Sequence, residues 1–238
     1  MSEWKMRRFW KVAGVRQDAA GFGITLDDKP LRTPAKSALV VPTRALADAI
    51  ATEWNAQGDH VEPGAMPVTR SANSAIDKVA PQTDAVIAML AEYGGTDLLS
   101  YRADRPQALI DAQARAWDPM LDWAEAEYGA RLVTTSGVMP VAQDPDALGK
   151  LERPMHGMSP FELAGLHDLI ALSGSLVLGL AVVEGGYAPD TIWSKSRVDE
   201  EWQAQEWGED EEAGEMAERK RQDFLFAHTF VGLARSIG

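Results

Sequence analysis

A chain of 238 residues with 45% hydrophobic and 25% charged residues can bury a sizeable core in one large domain or in a small and a medium domain. Its formal net charge of -13 argues against nucleic-acid and anionic-membrane partners, because neutralising phosphates requires an excess of Lys and Arg. The absence of cysteine excludes disulfides, thiolate zinc sites and cysteine nucleophiles, and it fits a reducing compartment.

The N-terminal residues include basic side chains but no apolar run of signal-peptide length. The longest apolar stretch, residues 169–183, is interrupted by Ser173, Gly174 and Ser175, and it falls short of the roughly twenty residues that a membrane span needs. We therefore expect a buried helix there, and a soluble cytosolic protein without membrane insertion.

Residues 9–41 are predicted to form a small β-rich unit of three to five short strands. Apolar and small residues alternate over residues 20–26 with the strand period of two. Asp27 and Asp28 then supply turn chemistry, and two further extended pieces end at Pro34 and Pro42, which disfavour helix in the preceding residue.

The first helix is predicted directly after this unit. Thr43 fits its N-cap position and Gly58 can end it. Apolar residues recur on one helical face, at Leu46, Ala49, Ile50 and Trp54. Residues 59–68 are polar and contain Pro and Gly, which marks a domain boundary. We predict an α+β protein: a small β-rich domain with one helix at residues 1–65, and a larger all-helical domain at residues 66–238.

Three helices are predicted in the second domain, over about residues 82–93, 107–128 and 161–184, before a final helical pair. Pro119 should kink or interrupt the second of them, because Pro lacks a backbone N–H. Residues 134–158 are rich in Pro and Gly and are predicted to be a surface loop. Ser159 and Glu162 have the pattern of a capping box at the start of the third helix.

His167 and Asp168 are the adjacent His–Asp pair that an enzyme could use as general base and orienting carboxylate. Adjacent helical residues point about 100° apart, so the two side chains are not expected to bond each other easily. A buried polar pair satisfied by neighbouring helices is the favoured interpretation. The chain has no nucleophile elbow, phosphate-binding loop or dinucleotide motif. A small-molecule enzyme using this pair is kept as the alternative.

An aromatic and acidic segment, residues 198–223, joins Trp202 and Trp207 to a dense carboxylate cluster, with Gly208 at the junction. A solvated helix whose acidic start is favoured by the helix dipole, a metal site, and a docking surface are all compatible with this composition. The cluster, which includes Glu209, lacks the ligand pattern of a calcium-binding EF-hand loop. The two tryptophans favour binding of another protein, because Trp is enriched at protein interfaces.

Several motifs, in order along most of the chain, resemble one family: the assembly chaperones that hold the α subunit of the F-type ATP synthase catalytic head before it joins the β subunit. The motifs lie at residues 7–12 (RRFWKV), 21–34 (GFGITLDDKPLRTP), 41–54 (VPTRALADAIATEW), 66–77 (MPVTRSANSAID), 95–102 (GTDLLSYR), 117–129 (WDPMLDWAEAEYG) and 199–211 (DEE, then Q, WG and E). None of them is a catalytic signature.

The resemblance implies a chaperone without enzyme activity or cofactor. It implies that the chain binds the unassembled α subunit, shields its β-facing surface and supports assembly of the α/β hexamer. The protein is expected to be a monomer in the bacterial cytoplasm, or in the mitochondrial matrix if it is a processed eukaryotic form. An adaptor for a different client protein is a further alternative.

The resemblance also implies site residues. The predicted client-binding residues, matched to the last motif, are Glu211, Glu200, Gln203 and Trp207. Trp54 ends the first helix as in the family and is expected either to pack in the core or to contribute to an interface. Asp97 and Arg102 of the GTDLLSYR motif are predicted to be structural or interfacial, with Arg102 bonding a carboxylate.

Overall fold

The computed structural model describes residues 7–137, 139–208 and 210–235, and the chain divides into two compact units. The first contains residues up to Thr83, Ser159–Gly165 and residues from Thr229 onward, and the second contains Asp84–Met158 and Leu166–His228. A small N-terminal sheet followed by a mostly helical part confirms the predicted α+β fold class. The division at residues 65 and 66 stays a prediction.

A four-stranded antiparallel sheet forms the start of the first unit. Its strands are β1 (Ala13–Asp18), β2 (Gly21–Leu26), β3 (Lys29–Pro30) and β4 (Val40–Val41). The strand β2 is central and pairs with the other three, and its alternation buries Ile24 and Leu26. Gly21 has φ 137°, and a Cβ there would come within 2.5 Å of the Val41 carbonyl oxygen, so this position requires glycine.

The helix α1 (Arg44–Asn55) covers the sheet with a buried apolar face that includes Leu46 and Ile50. Thr43 caps it as predicted, because its hydroxyl accepts a hydrogen bond from the Leu46 N–H at 3.1 Å. The Asn55 side chain exchanges two hydrogen bonds with the backbone of Ala13, at 2.8 and 2.9 Å, and so pairs with the edge of β1. The helix α2 (Pro67–Ser74) follows, and a π-helical turn, Ala75–Val79, continues it.

The remaining helices belong mostly to the second unit. They are α3 (Thr83–Glu92), α4 (Gln107–Tyr128), α5 (Pro145–Glu152), α6 (Pro160–Ser173), α7 (Leu176–Val183), α8 (Pro189–Ser196), α9 (Val198–Trp207) and α10 (Glu211–Arg235). The start of α6 and the end of α10 belong to the first unit. A short parallel pair, β5 (Tyr101–Arg102) and β6 (Thr135–Ser136), lies within the region predicted to be all helical. Within the described parts of the chain, no helix is long and apolar enough to cross a membrane.

The single apolar helix predicted over residues 161–184 is wrong, because the structure has two helices there. The predicted capping box begins the first of them: the Ser159 N–H donates to Glu162 at 2.8 Å, and the Glu162 N–H donates to the Ser159 hydroxyl at 3.3 Å. The chain breaks at Gly174, whose φ is 72°, and Ser175 then caps α7 through the Leu178 N–H at 3.0 Å.

Two further predictions need correction. The loop predicted over residues 134–158 contains β6 and α5, and Asp144 caps α5 by accepting from the Asp146 N–H at 2.9 Å. Pro145 directly after the capping Asp144 is a local signal for the start of a helix. The high Pro and Gly content of the whole segment favoured a loop instead. The helix α4 continues through Pro119, so of the two predicted effects the interruption does not occur, and the kink stays a prediction.

Candidate client-binding groove

The helix α9 and the first half of α10 bury little of their surface. None of the residues of α9 is buried, and residues 211–220 of α10 are exposed except for the half-buried Ala217. Gly208, with φ 93°, ends α9 in a conformation that favours glycine. Glu209, a member of the predicted acidic cluster, lies outside the described residues. The two helices therefore offer side chains to solvent that a partner could cover.

A groove of about 500 Å³ lies between these helices, and we name it the α9–α10 groove. Its lining residues are Trp193, Arg197, Glu200, Glu201, Gln203, Ala204, Trp207, Gly208, Asp210, Ala213, Gly214 and Ala217. Trp207 is 82% exposed, the highest value among the large hydrophobic side chains of the described residues. An exposed tryptophan beside small residues in a concave surface is typical of a protein-binding site.

The lining of the groove is acidic. Its described residues contribute three carboxylates, from Glu200, Glu201 and Asp210, against one guanidinium, from Arg197. Arg197 pairs with Glu200 at 2.7 Å and lies over the ring of Trp193 at 5.7 Å from its centroid. Asp210 accepts a hydrogen bond from the Glu212 N–H at 3.0 Å and so caps α10. The surface favours a basic partner.

A set of hydrogen bonds holds α8 and α9 against α4. The Gln113 amide donates to the Asp199 carboxylate at 2.6 Å and accepts from the Ala103 N–H at 2.8 Å. The Trp117 indole N–H donates to the Lys195 carbonyl at 2.7 Å, and the Lys195 ammonium donates to the Ala116 carbonyl at 2.9 Å. These contacts set the position of one wall of the groove.

The structure places three of the four predicted client-binding residues at this groove. Glu200, Gln203 and Trp207 line it, whereas Glu211 is exposed at the first turn of α10 and is not among the lining residues. Sequence reasoning missed the small residues on the α10 side, of which Gly214 is one. Their signal is a pattern of Ala and Gly at helical spacing on an otherwise charged helix.

The Asp97 carboxylate is fully buried and holds two backbone segments together. It accepts hydrogen bonds from the Leu99 N–H at 3.0 Å and from the Val177 N–H at 3.2 Å. Burial raises the pKa of Asp97 to about 6, against the opposing effect of these hydrogen bonds. Its position at the start of α7 is that of a structural residue, because it satisfies a helix N–H that has no partner within the helix.

Arg102 and Trp54 also lie in packed surroundings. The Arg102 guanidinium forms an ion pair with Asp118 at 2.8 Å and lies over the Trp117 ring at 5.2 Å from its centroid. Trp54 is 9% exposed and meets Trp10 in an edge-to-face arrangement with ring centroids 5.0 Å apart. Both side chains are therefore packed against aromatic rings within the fold.

His167 and Asp168 bond each other, with 2.9 Å between Nδ1 and Oδ1, so the expectation that they would not is wrong. Both side chains are about half exposed. They can therefore rotate toward each other, although their Cα–Cβ bonds point in different directions. The hydrogen bond to Asp168 raises the pKa of His167. Neither residue lines the α9–α10 groove or a smaller groove of about 300 Å³ between α4 and α9.

A metal site is the remaining interpretation of the acidic segment. Among the residues that the structure describes, no group of three or more His, Asp or Glu side chains is arranged to hold a metal ion. Two carboxylates of α10 pair with nearby side chains instead: Glu215 with Arg219 at 3.3 Å, and Glu218 with Arg221 at 3.1 Å and Gln222 at 2.6 Å.

Comparisons with known proteins extend over nearly the whole chain. The family model of the ATP12 chaperone protein matches residues 7–125. The crystal structure of Atp12 from Paracoccus denitrificans is 54% identical with a TM-score of 0.93, and the match covers 98% of this chain and 100% of that one. The Atu1473 protein of Agrobacterium tumefaciens is 43% identical with a TM-score of 0.88, over 94% of this chain and 84% of that one.

A more distant relative is the mitochondrial protein atp12 of Schizosaccharomyces pombe. It is 21% identical over 222 residues, which are 88% of this chain and 76% of that protein. The family model and the two bacterial structures confirm the resemblance found in the sequence motifs: the chain belongs to the ATP12 chaperone family, the assembly chaperones of ATP synthase.

Proposed function

We propose that this protein binds the unassembled α subunit of the F-type ATP synthase catalytic head, shields its β-facing surface, and releases it when the β subunit arrives. An unpaired subunit exposes apolar surface that promotes aggregation, so covering this surface supports assembly of the α/β hexamer. The proposed place of action is the bacterial cytoplasm, or the mitochondrial matrix for a eukaryotic form.

The observation that carries the proposal is the exposed Trp207 in an acidic groove of a chain that belongs to the ATP12 family. The groove lining combines apolar with charged side chains, as the interfaces of non-obligate complexes do. Such an interface can be exchanged for a larger and more apolar one, which is the requirement for release of the α subunit to β.

The test uses purified α subunit diluted from denaturant, without nucleotide, in the presence or absence of the chaperone. We expect the chain to form a complex with α by size-exclusion chromatography and to lower its light scattering in proportion to chaperone concentration. Addition of β subunit should then release the chaperone. If α fails to associate under conditions in which β captures it, the proposal is wrong.

A matched variant connects the activity to the groove. Trp207→Ala removes an exposed side chain, so the fold should keep its melting temperature, while binding of α should weaken by roughly tenfold or more, as is usual for a tryptophan hot spot. Val133→Ala, at another exposed hydrophobic residue of the second unit, should leave binding unchanged.

A further inference from the structure

The α9–α10 groove contains a strip of small residues, and at one of them, Gly214, the fold itself does not require glycine. Gly214 lies in the first turn of α10 and lines the groove, and a Cβ built on Gly214 meets no atom within 4 Å. Glycine in a helix interior costs roughly 0.5–1 kcal/mol relative to alanine. Neither close packing nor a positive φ accounts for glycine here, since positive φ is found at Gly208 but not at Gly214.

Ala204, Ala213 and Ala217 extend the same strip on both sides of the groove. Two large rings also line the groove, the buried Trp193 and the exposed Trp207. Apolar side chains around an open volume of about 500 Å³ provide a place for large apolar groups from outside, since pockets of a few hundred Å³ enclose ligands of that kind.

The acidic side chains beside the strip favour an apolar partner segment that also carries basic residues. Glu200, Glu201 and Asp210 line the groove, and Arg197, the one cation among its described lining residues, is already paired with Glu200. An acidic partner segment would bring like charges together at a partly desolvated surface, which is unfavourable, whereas Lys or Arg would meet carboxylates.

From this arrangement we infer that the α9–α10 groove binds one segment of the client that carries a large apolar side chain with Lys or Arg within about one helical turn of it. The apolar side chain lies over the strip of Gly214 and the alanines, against Trp207. The basic side chain reaches Glu201 or Asp210 at the rim. This inference rests on the proposed function, because it describes the segment of the α subunit that the chaperone recognises.

Filling the groove from the chaperone side tests the apolar part of the inference. Gly214→Phe places a ring where the client side chain should lie, and Gly149→Phe is the matched control. Gly149 is also an exposed helical glycine of the second unit with no atom within 4 Å of a built Cβ, and it lies in α5 away from the groove. Circular dichroism and melting temperature verify that both variants keep the fold.

We expect Gly214→Phe to weaken binding of the α subunit by about tenfold or more in a titration of the full chain, and Gly149→Phe to leave it unchanged. Equal binding by both folded variants would overturn the inference while leaving the proposed function intact. Absence of α binding by the unmodified chain would instead refute the proposed function itself.

A photo-crosslinking amino acid at Ala217 tests the chemical class of the segment. In the complex with the α subunit, mass spectrometry should find crosslinks to one region of α that contains a large apolar residue with Lys or Arg close by. Crosslinks confined to acidic or uncharged regions of α, or to a second copy of this chain, would overturn the inference.

Discussion

Asp97 is fully buried, and its carboxylate accepts hydrogen bonds from two backbone N–H groups. It connects the start of α7 to the turn at Leu99, and its carboxylate is desolvated. The family motif indicated that this residue matters, but the partner of its second oxygen, Val177, lies 80 residues away in the chain. No local pattern predicts such a contact.

The Asp97→Asn variant should be less stable and less dependent on pH. An amide can accept at its oxygen but presents an N–H₂ donor to the second backbone N–H, which should cost about 1–3 kcal/mol. The folded pKa of Asp97, about 6, lies above its ordinary value, so its protonation stabilises the folded state. That contribution is complete below the unfolded pKa and is lost as pH rises through about 6.

Urea unfolding at several pH values between about 4 and 7 measures this difference. The free energy of unfolding of the native chain minus that of Asp97→Asn should decrease as the pH rises across this window. A constant difference would show that Asp97 has an ordinary pKa in the folded protein.

Substitution of Glu211 tests whether the proposed interaction surface extends beyond the α9–α10 groove. It lies outside the groove lining, at the start of α10, where a negative charge is favoured by the helix dipole. We expect Glu211→Lys to abolish support of ATP synthase assembly while the fold is kept, at a stability cost of about 1 kcal/mol or less. Complementation of a chaperone-deficient strain measures the effect.

The control for this variant is Glu206→Lys, at an exposed residue of α9 that is also outside the groove lining and undergoes the same change of charge. Similar loss of assembly support in both variants would mean that net charge, and not the position of Glu211, is responsible. Unfolding of Glu211→Lys, detected by circular dichroism, would make Glu211 a structural residue.

Helix boundaries are the features at which sequence patterns and structure differ most. Residues 161–184 are apolar throughout, so their periodicity contains no signal that separates one long helix from two. The break is made by Gly174 in a left-handed conformation and by the cap of Ser175, and Leu98 strengthens it by donating its N–H to the Gly174 carbonyl at 3.0 Å. Tertiary contacts thus decide between two helices and one.

Two glycine-to-alanine changes should act in opposite directions. Gly174→Ala introduces a side chain at φ 72° and should destabilise the protein by about 1–2 kcal/mol. Gly149→Ala, in the regular helix α5, should stabilise it by about 0.5–1 kcal/mol, because alanine has the higher helix propensity. Thermal unfolding of both variants provides the measurement, and a stabilising Gly174→Ala would contradict the break described above.

The whole molecule carries 36 acidic and 23 basic side chains, so a basic client surface is attracted before contact is made. We expect the association rate with the α subunit to fall by about tenfold or more between low and high salt, because screening shortens the range of this attraction. Stopped-flow fluorescence at several salt concentrations measures it. A rate that is independent of salt would show that apolar contact alone drives the encounter.

The sequence by itself determined the features that depend on neighbouring residues. The capping hydroxyl of Thr43, the box of Ser159 and Glu162, the alternation in β2 and the ordered family motifs all depend on neighbours in the chain. Together they were sufficient for the α+β class and for the chaperone family.

Only the tertiary structure decided where the proposed interaction surface, the α9–α10 groove, lies. One wall of the α9–α10 groove is positioned by hydrogen bonds from Gln113 and Trp117 of α4 to α9 and α8, about 80 residues further along the chain. The groove also depends on the small side chains of α10, which become a concave surface only when α9 lies opposite them. Residue types alone cannot specify such an arrangement, because its energy comes from contacts between segments that are distant in the chain.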